Sequence, residues 1–330
     1  MVKKLFGILL ILAALGGLAA AFLSLAPTGP ATQTFVLIKP GSATRSIAMQ
    51  LERAGVVRNA YAFLAVHAFK GRRTLKAGEY QFDHPANALE VYDRMARGDV
   101  YFHTVVIPEG YNIFDIAQAL ETSGLSTRDA FLEVAKTERT LVTDMDPQAP
   151  SLEGYLFPDT YHFSRTQSPR ELAATMVKRF RQEAQALGLT QNFHPVVTLA
   201  SIVEKETAVE GERPLVAGVF SNRLARRIGL ATDPSVIYAA LLAGRYRGTI
   251  HQSDLAFDSP YNTYKYSGLP PGPIANPGRA SLAAALRPVA TDYLYFVADN
   301  KGGHNFARTI AEHNRNVANY RRGLPANGHK

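Results

Sequence analysis

The feature that most constrains this chain is an uncharged apolar run from Leu5 to Ala26, preceded directly by Lys3 and Lys4. A helix needs ~20 predominantly apolar residues to cross the hydrocarbon of a bilayer, and this run meets that length. Lysine stands before the run and the next basic residue is Lys39. That asymmetry orients a spanning helix with residues 1–4 in the cytoplasm. The expectation is a single-pass anchor at 5–26 in the cytoplasmic (inner) membrane. The bulk of the chain then lies on the periplasmic or extracellular side. The small residues Ala19-Ala20-Ala21 leave a cleaved signal peptide as the competing reading, and both readings export the remainder. Residues 27–34, rich in Pro, Thr, Gly and Ala, read as a linker.

Beyond the linker the sequence repeats itself. Val36-Leu37-Ile38-Lys39-Pro40-Gly41 continues through Ile47-Ala48 and Leu51-Glu52 to Gly55. Val105-Val106-Ile107-Pro108-Glu109-Gly110 continues through Ile116-Ala117 and Leu120-Glu121 to Gly124 with the same spacing. Each copy reads as a strand, a turn at Gly, and an amphipathic helix closed by Gly. The first copy goes on through a helical pattern at Tyr61–Phe69 to a strand near Gly78–Phe82. That strand–helix–helix–strand order resembles the LysM fold, a small module that binds N-acetylglucosamine polymers. A spacer role is the competing reading. The domain expectation is a LysM-like module at 35–104 and a second domain at 105–330 that starts with the second strand–helix copy.

Composition narrows the chemistry. The chain has no cysteine, so disulfides, thiolate metal sites and cysteine nucleophiles are excluded. His251, His304 and His313 show no metal-ligand spacing, so neither metal nor cofactor is expected. The formal net charge of +8 favours anionic partners. The basic runs, such as Lys70-Gly71-Arg72-Arg73 and Arg226-Arg227, are short and belong to no nucleic-acid-binding motif, so no nucleic-acid partner is expected.

The second domain offers a helix over Pro169–Leu187, with Ser168 as N-cap and Pro169 in the first turn. Further helices begin near Pro195 and Pro214. The stretch Asp258–Pro277 is too long and too aromatic for an ordinary connector, which makes it a candidate binding loop. A hairpin turns at Asn300-Lys301-Gly302-Gly303, and Thr309 with Glu312 makes a capping box for a final helix. The helix near Pro195 carries the chemistry. At ~100° per residue, Val196, Leu199, Ile202 and Val203 form an apolar stripe, and Glu206 falls on it while Glu204 falls on the other side. A carboxyl on the buried face near a helix C-terminus is pushed toward its neutral form, the form a general acid needs. The competing reading is a helix-end Glu paired with a cation such as Arg213.

Five blocks carry a resemblance. They are Glu153-Gly154-Tyr155-Leu156-Phe157-Pro158-Asp159-Thr160-Tyr161, then Ala200-Ser201-Ile202-Val203-Glu204-Lys205-Glu206-Thr207, then Thr232-Asp233-Pro234-Ser235-Val236-Ile237-Tyr238. The fourth joins Ser259-Pro260-Tyr261-Asn262-Thr263-Tyr264 with Gly268-Leu269-Pro270-Pro271-Gly272-Pro273-Ile274, and the fifth joins Tyr293–Val297 with Gly303-His304-Asn305-Phe306. Together they resemble the YceG-like endolytic murein transglycosylases, along the whole chain and in order. The resemblance implies a lyase, a lytic transglycosylase with Glu206 as its catalytic residue. It implies cleavage of the bond between N-acetylmuramic acid and N-acetylglucosamine within nascent peptidoglycan strands. The muramic C6 hydroxyl closes onto C1 and leaves a 1,6-anhydro end. It also implies work beside the cell-wall synthases, the penicillin-binding proteins, and a role in terminating glycan elongation. One carboxyl suffices, because the nucleophile belongs to the substrate.

Sugar sites combine aromatic faces with a few placed polar groups. Tyr155, Tyr161, Tyr261 and Tyr264 are candidates for the faces, and Glu153, Asp159, Asp233, Asn262 and His304 for the polar groups. Asp233 has a helix-capping alternative, and His304 has the alternative of a hairpin residue bonded to backbone. The overall expectation is an α+β protein with an N-terminal transmembrane helix, a LysM-like module and a mixed α/β catalytic domain. The rival functions are a muramidase that hydrolyses the same bond, with Glu153 or Asp233 as its second carboxylate, and a non-catalytic peptidoglycan-binding scaffold.

Overall fold

The computed structural model describes residues 7–8, 11–12, 14–18, 22, 26–30 and 32–323. About half of the expected anchor at 5–26 lies outside the described residues. Among the described residues no helix is long and apolar enough to cross a membrane.

The chain divides into two compact units, 1–104 with 162–167 and 105–161 with 168–330. The first division falls inside strand β3 (His103–Val106), and the chain returns briefly to the first unit at the end of β4 (Thr160–Phe163). That return breaks the contiguous layout expected from the sequence.

In the first unit β1 (Thr34–Ile38) pairs antiparallel with β2 (Gly78–Phe82), in register from Thr34 opposite Phe82 to Ile38 opposite Gly78. Between them run helices α1 (Thr44–Arg53) and α2 (Ala60–Phe69), so the strand–helix–helix–strand order is present. Period-2 alternation decides which face of β1 is buried: Val36 and Ile38 point inward while Phe35 and Leu37 are exposed. The inward side meets Ile47 and Leu51 of α1, Phe63 of α2 and Tyr80 of β2 in one core. Helix α3 (Ala88–Arg97) completes it with Val91, Tyr92 and Met95, and starts at a capping box between Asn87 and Glu90. Glu79 is buried in this unit and paired, with His103 Nε2 at 2.5 Å and Arg165 Nη1 at 3.2 Å. These two contacts answer the cost of burying its charge and fasten the returning segment 162–167 to β2.

The second unit opens with α4 (Ile113–Thr122) and α5 (Arg128–Thr137) and is otherwise mostly helical. Helix α6 (Pro169–Leu187) starts at the expected Ser168 cap, whose hydroxyl accepts the Glu171 N–H, and ends at Gly188 in the left-handed conformation. Helix α7 (Phe193–Glu206) is packed by α8 (Arg213–Ala225), α9 (Asp233–Leu242) and α11 (Arg279–Leu286), with the one-turn α10 (Gln252–Leu255) between the last two in sequence. Eight of its residues, Phe193 and the unbroken run Val197–Val203, are buried. The single apolar stripe read from the sequence is therefore too narrow, because neighbours cover α7 on several sides. β5 (Tyr295–Ala298) and β6 (His304–Ala307) form the expected antiparallel hairpin, followed by α12 (Ile310–Gly323). The Thr309–Glu312 capping box is present, with Oγ1 of Thr309 accepting the Glu312 N–H at 3.2 Å.

The candidate binding loop Asp258–Pro277 is partly woven into this unit, with residues 262–263 and 272–277 buried and 264–267 exposed. A long segment without regular structure can be buried only if its polar backbone finds partners. Two asparagines supply them. Asn262 Nδ2 donates to the carbonyls of Leu255 at 2.9 Å and Phe257 at 2.8 Å. Asn276 Oδ1 accepts the N–H groups of Gly154 and Leu156, both at 2.9 Å, while Nδ2 donates to Tyr111 O and to Glu153 Oε1. Gly154 must be glycine here: its φ is +89°, and a Cβ would meet Pro273 at 2.5 Å.

Candidate active site

Glu206 ends α7 and lines an open cavity of about 410 Å³. Arg223 of α8, Asp233 at the start of α9, Tyr264 of the long loop, Tyr295 of β5 and His313 of α12 share that cavity. Six segments distant in sequence thus supply its polar groups.

The electrostatics fit a proton donor. Burial pushes the Glu206 carboxyl up from its ordinary 4.5 to about 7, and the negative charge of Asp233 adds to the rise. Arg223 pulls the other way but does not overcome burial. Such a group is close to half protonated at neutral pH, so it can deliver a proton and later accept one. Asp233 is exposed, and its Oδ1 accepts the Tyr264 hydroxyl at 2.7 Å. The reading of Asp233 as a helix N-cap is not met: it is the first residue of α9, Thr232 holds the cap position, and no side-chain cap is formed.

The cavity wall beside Asp233 is held in a costly backbone conformation. Ala231 has φ of +50°, a region that disfavours residues with a Cβ. Thr263 fixes it there, since its carbonyl accepts the Ala231 N–H at 3.1 Å and its hydroxyl accepts the Thr232 N–H at 2.9 Å. Strain of this kind persists only where the surroundings over-determine it, and it collects at functional sites.

Glu204 lies on the other side of α7, as the helical projection requires. That side is buried too. Oε1 of Glu204 accepts from Arg213 Nη2 at 3.0 Å, and Oε2 accepts the N–H of Gly278 at 2.9 Å, where α11 begins. Arg213 is therefore the partner of Glu204 and leaves Glu206 without an ion pair among the described residues.

Of the nine candidate binding residues, the structure brings Asp233 and Tyr264 to the Glu206 cavity. It places the other seven elsewhere. Glu153 is buried beneath the long loop, its carboxyl pushed up to about 8 by burial against the opposing pull of the Ile113 N–H. Tyr155 is buried, and its hydroxyl donates to Asp146. Asp159 pairs with Arg179. The buried Tyr161 donates to the carbonyl of Phe157. Tyr261 packs on Tyr238, ring centres 5.2 Å apart. Asn262 is fully buried and bonded to backbone. His304 bonds to a carboxylate and not to backbone as its alternative reading had it: its Nδ1 lies 2.7 Å from Glu212 Oε2, outside the cavity lining. Their shared fate has one reason. Gly, Pro and aromatic residues beside a polar one mark a tight buried turn as readily as a sugar site.

Sequence reasoning missed Arg223, Tyr295 and His313 as cavity groups. Arg223 is one of four arginines between 213 and 227, and nothing local distinguishes it. Tyr295 sits in the fifth block, which was the available signal. The guanidinium of Arg223 lies 5.8 Å from the Tyr295 ring centre, and His313 stacks on the same ring at 5.2 Å. Among the described residues no group of three or more His, Asp or Glu is placed to hold a metal ion.

Comparison with known proteins adds an independent line. Residues 36–319 match the YceG-like family. A Bacillus subtilis protein named endolytic murein transglycosylase is 32% identical over 310 residues, covering 88% of this chain and 85% of the relative. A Streptococcus pneumoniae protein of the same name is 31% identical over 319 residues, covering 86% of this chain but 57% of the longer relative. A crystal structure of a yceG-like protein from Listeria monocytogenes superposes with a TM-score of 0.56 at 34% identity, covering 86% of this chain and 98% of that one.

Proposed function

The chain belongs to the YceG-like family, and from that premise we propose that it is a peptidoglycan lytic transglycosylase with Glu206 as its acid and base. One observation carries the assignment: a partly buried carboxyl, raised to about 7, ends a helix at a cavity wide enough for sugar residues. Glu206 in its acid form donates its proton to the glycosidic oxygen between N-acetylmuramic acid and N-acetylglucosamine. The bond from that oxygen to muramic C1 breaks. The C6 hydroxyl of the same sugar then bonds to C1, and the Glu206 carboxylate takes the hydroxyl proton. The products are a strand with a free hydroxyl and one with a 1,6-anhydro end, and the enzyme regains its starting state.

Asp233 keeps a second reading in view. It lines the same cavity, so a water held between the two carboxyls would give hydrolysis instead. Glu153, the other carboxylate considered for that role, lies outside the cavity lining. Mass spectrometry of digested strands separates the readings: the lyase leaves anhydro ends, and a muramidase leaves reducing ends one water heavier. Loss of all products in Glu206→Gln is expected under both. Wild-type protein that binds strands and yields neither product would instead favour a scaffold, and an active Glu206→Gln would remove Glu206 from the acid–base role.

The wider reading places the enzyme at the cytoplasmic membrane, anchored by residues 5–26 with Lys3 and Lys4 inside. There it meets nascent strands beside the penicillin-binding proteins and terminates their elongation. The strand–helix–helix–strand order of the first unit supports a LysM-like glycan-binding role for residues 35–104.

A further inference from the structure

We propose that Arg223 forms an anion subsite in the Glu206 cavity that takes a carboxylate of the peptide stem on the sugar being cleaved. The inference rests on the lytic reading above and adds a determinant of which strands are accepted.

Arg223 lines the cavity, yet among the described residues its guanidinium makes no hydrogen bond or ion pair. Its Nε is buried without a hydrogen-bond partner. Its protein contact is the face of Tyr295, at 5.8 Å. The other arginines that reach into this unit's interior are matched: Arg213 has Glu204 and Glu109, and Arg179 has Asp159 and Glu183. A half-buried guanidinium without a counter-ion is costly, and burial lowers its pKa. The cavity carboxyls do not cancel it: the Glu206 charge opposes the effect of burial on Arg223 but is smaller. Asp233 is taken up by Tyr264, and Glu206 has to be protonated to act.

Other groups facing Arg223 leave room for an anion. His313, stacked on the same Tyr295 ring, is held toward its neutral form by burial and by the Arg223 charge. It neither competes as a cation nor repels an anion. The planar fork of a guanidinium matches a carboxylate in a two-point hydrogen bond. The substrate supplies that group at the right place. The muramic acid whose C1 reacts carries a lactyl ether on its own ring, and the stem peptide with its free carboxylates hangs from it. An arginine beside the acid is therefore within one sugar residue of the stem.

The test compares uncrosslinked strands bearing native stems with the same strands after carbodiimide amidation of the stem carboxylates. Neutralising them should raise the KM of the full-length wild-type enzyme by about tenfold or more with a much smaller change in kcat. Arg223→Gln should raise KM on native strands to a similar level, and the two changes should not add. Arg223→Lys, which keeps the charge but not the fork, should recover part of the preference. Equilibrium binding of both strands to Glu206→Gln protein reads the subsite without turnover. A stem preference there that disappears in the Glu206→Gln, Arg223→Gln double variant supports the subsite even if the lytic reading fails. A wild-type enzyme indifferent to amidation, with Arg223→Gln lowering kcat equally on both strands, would overturn it and assign Arg223 to Glu206.

Discussion

The carboxylate of Glu204 sits 3.0 Å from the guanidinium of Arg213, on the side of α7 away from the cavity that Glu206 lines. Two carboxylates, two residues apart, thus have opposite duties. Glu204 is paired with Arg213 and bonded to the start of α11, while Glu206 makes no ion pair among the described residues and is driven toward neutrality. Glu204→Gln keeps the shape but leaves the buried Arg213 short of charge. It is expected to destabilise the protein by about 3 kcal/mol. Urea unfolding checks this, and an unchanged midpoint would remove the structural role. The contrast with Glu206 must therefore be read from folded protein, since Glu204 variants are expected to lose activity through stability.

Glu206→Gln should behave in the reverse manner. General acid–base catalysis contributes ~10²–10⁴-fold, so anhydro-product formation should fall by at least about a hundredfold in a protein that still binds glycan. A loss within twofold would be too small for the role.

Stability should respond to pH through the same group. The folded Glu206 carboxyl titrates at about 7 and its ordinary value is 4.5, so between these values the folded state holds a proton that the unfolded chain has released. Its contribution is fully present below about 4.5 and is lost as pH rises through about 7. The Gln variant has no such loss. At pH 8 it should be more stable than wild type by on the order of 1–3 kcal/mol, and at pH 4 the two should match. Wild-type kcat should fall as pH rises through about 7, because the acid form is consumed. A pH profile flat from 6 to 9 contradicts the assignment.

Asn276→Ala tests the buried loop. The change strands the Gly154 and Leu156 N–H groups and removes a donor from Glu153. Each buried orphan costs about 1–3 kcal/mol, so a loss of about 3 kcal/mol or more is expected in thermal or urea unfolding. Near-wild-type stability would mean that water replaces the side chain.

Membrane attachment is tested by extraction. Alkaline carbonate should leave the full chain in the membrane pellet if residues 5–26 remain as an anchor. A soluble form beginning after Ala21 would favour the signal-peptide reading.

Local sequence determined the elements. Ser168, and Thr309 with Glu312, cap their helices as read, because a cap is a contact between residues three apart. The short apolar run of β1, the glycines and the helical patterns after them pointed to the strand–helix–helix–strand order of the first unit for the same reason. Helical periodicity placed Glu206 and Glu204 on opposite sides of α7. It could not say that both sides are covered, because burial depends on α8, α9 and α11, which arrive from elsewhere in the chain. Tertiary structure alone decided that Arg213 serves Glu204, that Asn276 consumes the hydrogen bonds of Gly154 and Leu156, and that Arg223, Asp233, Tyr264 and His313 meet around one acid. Those groups come from segments up to about a hundred residues apart. No local spacing records such a meeting, since it is fixed by how the helices pack.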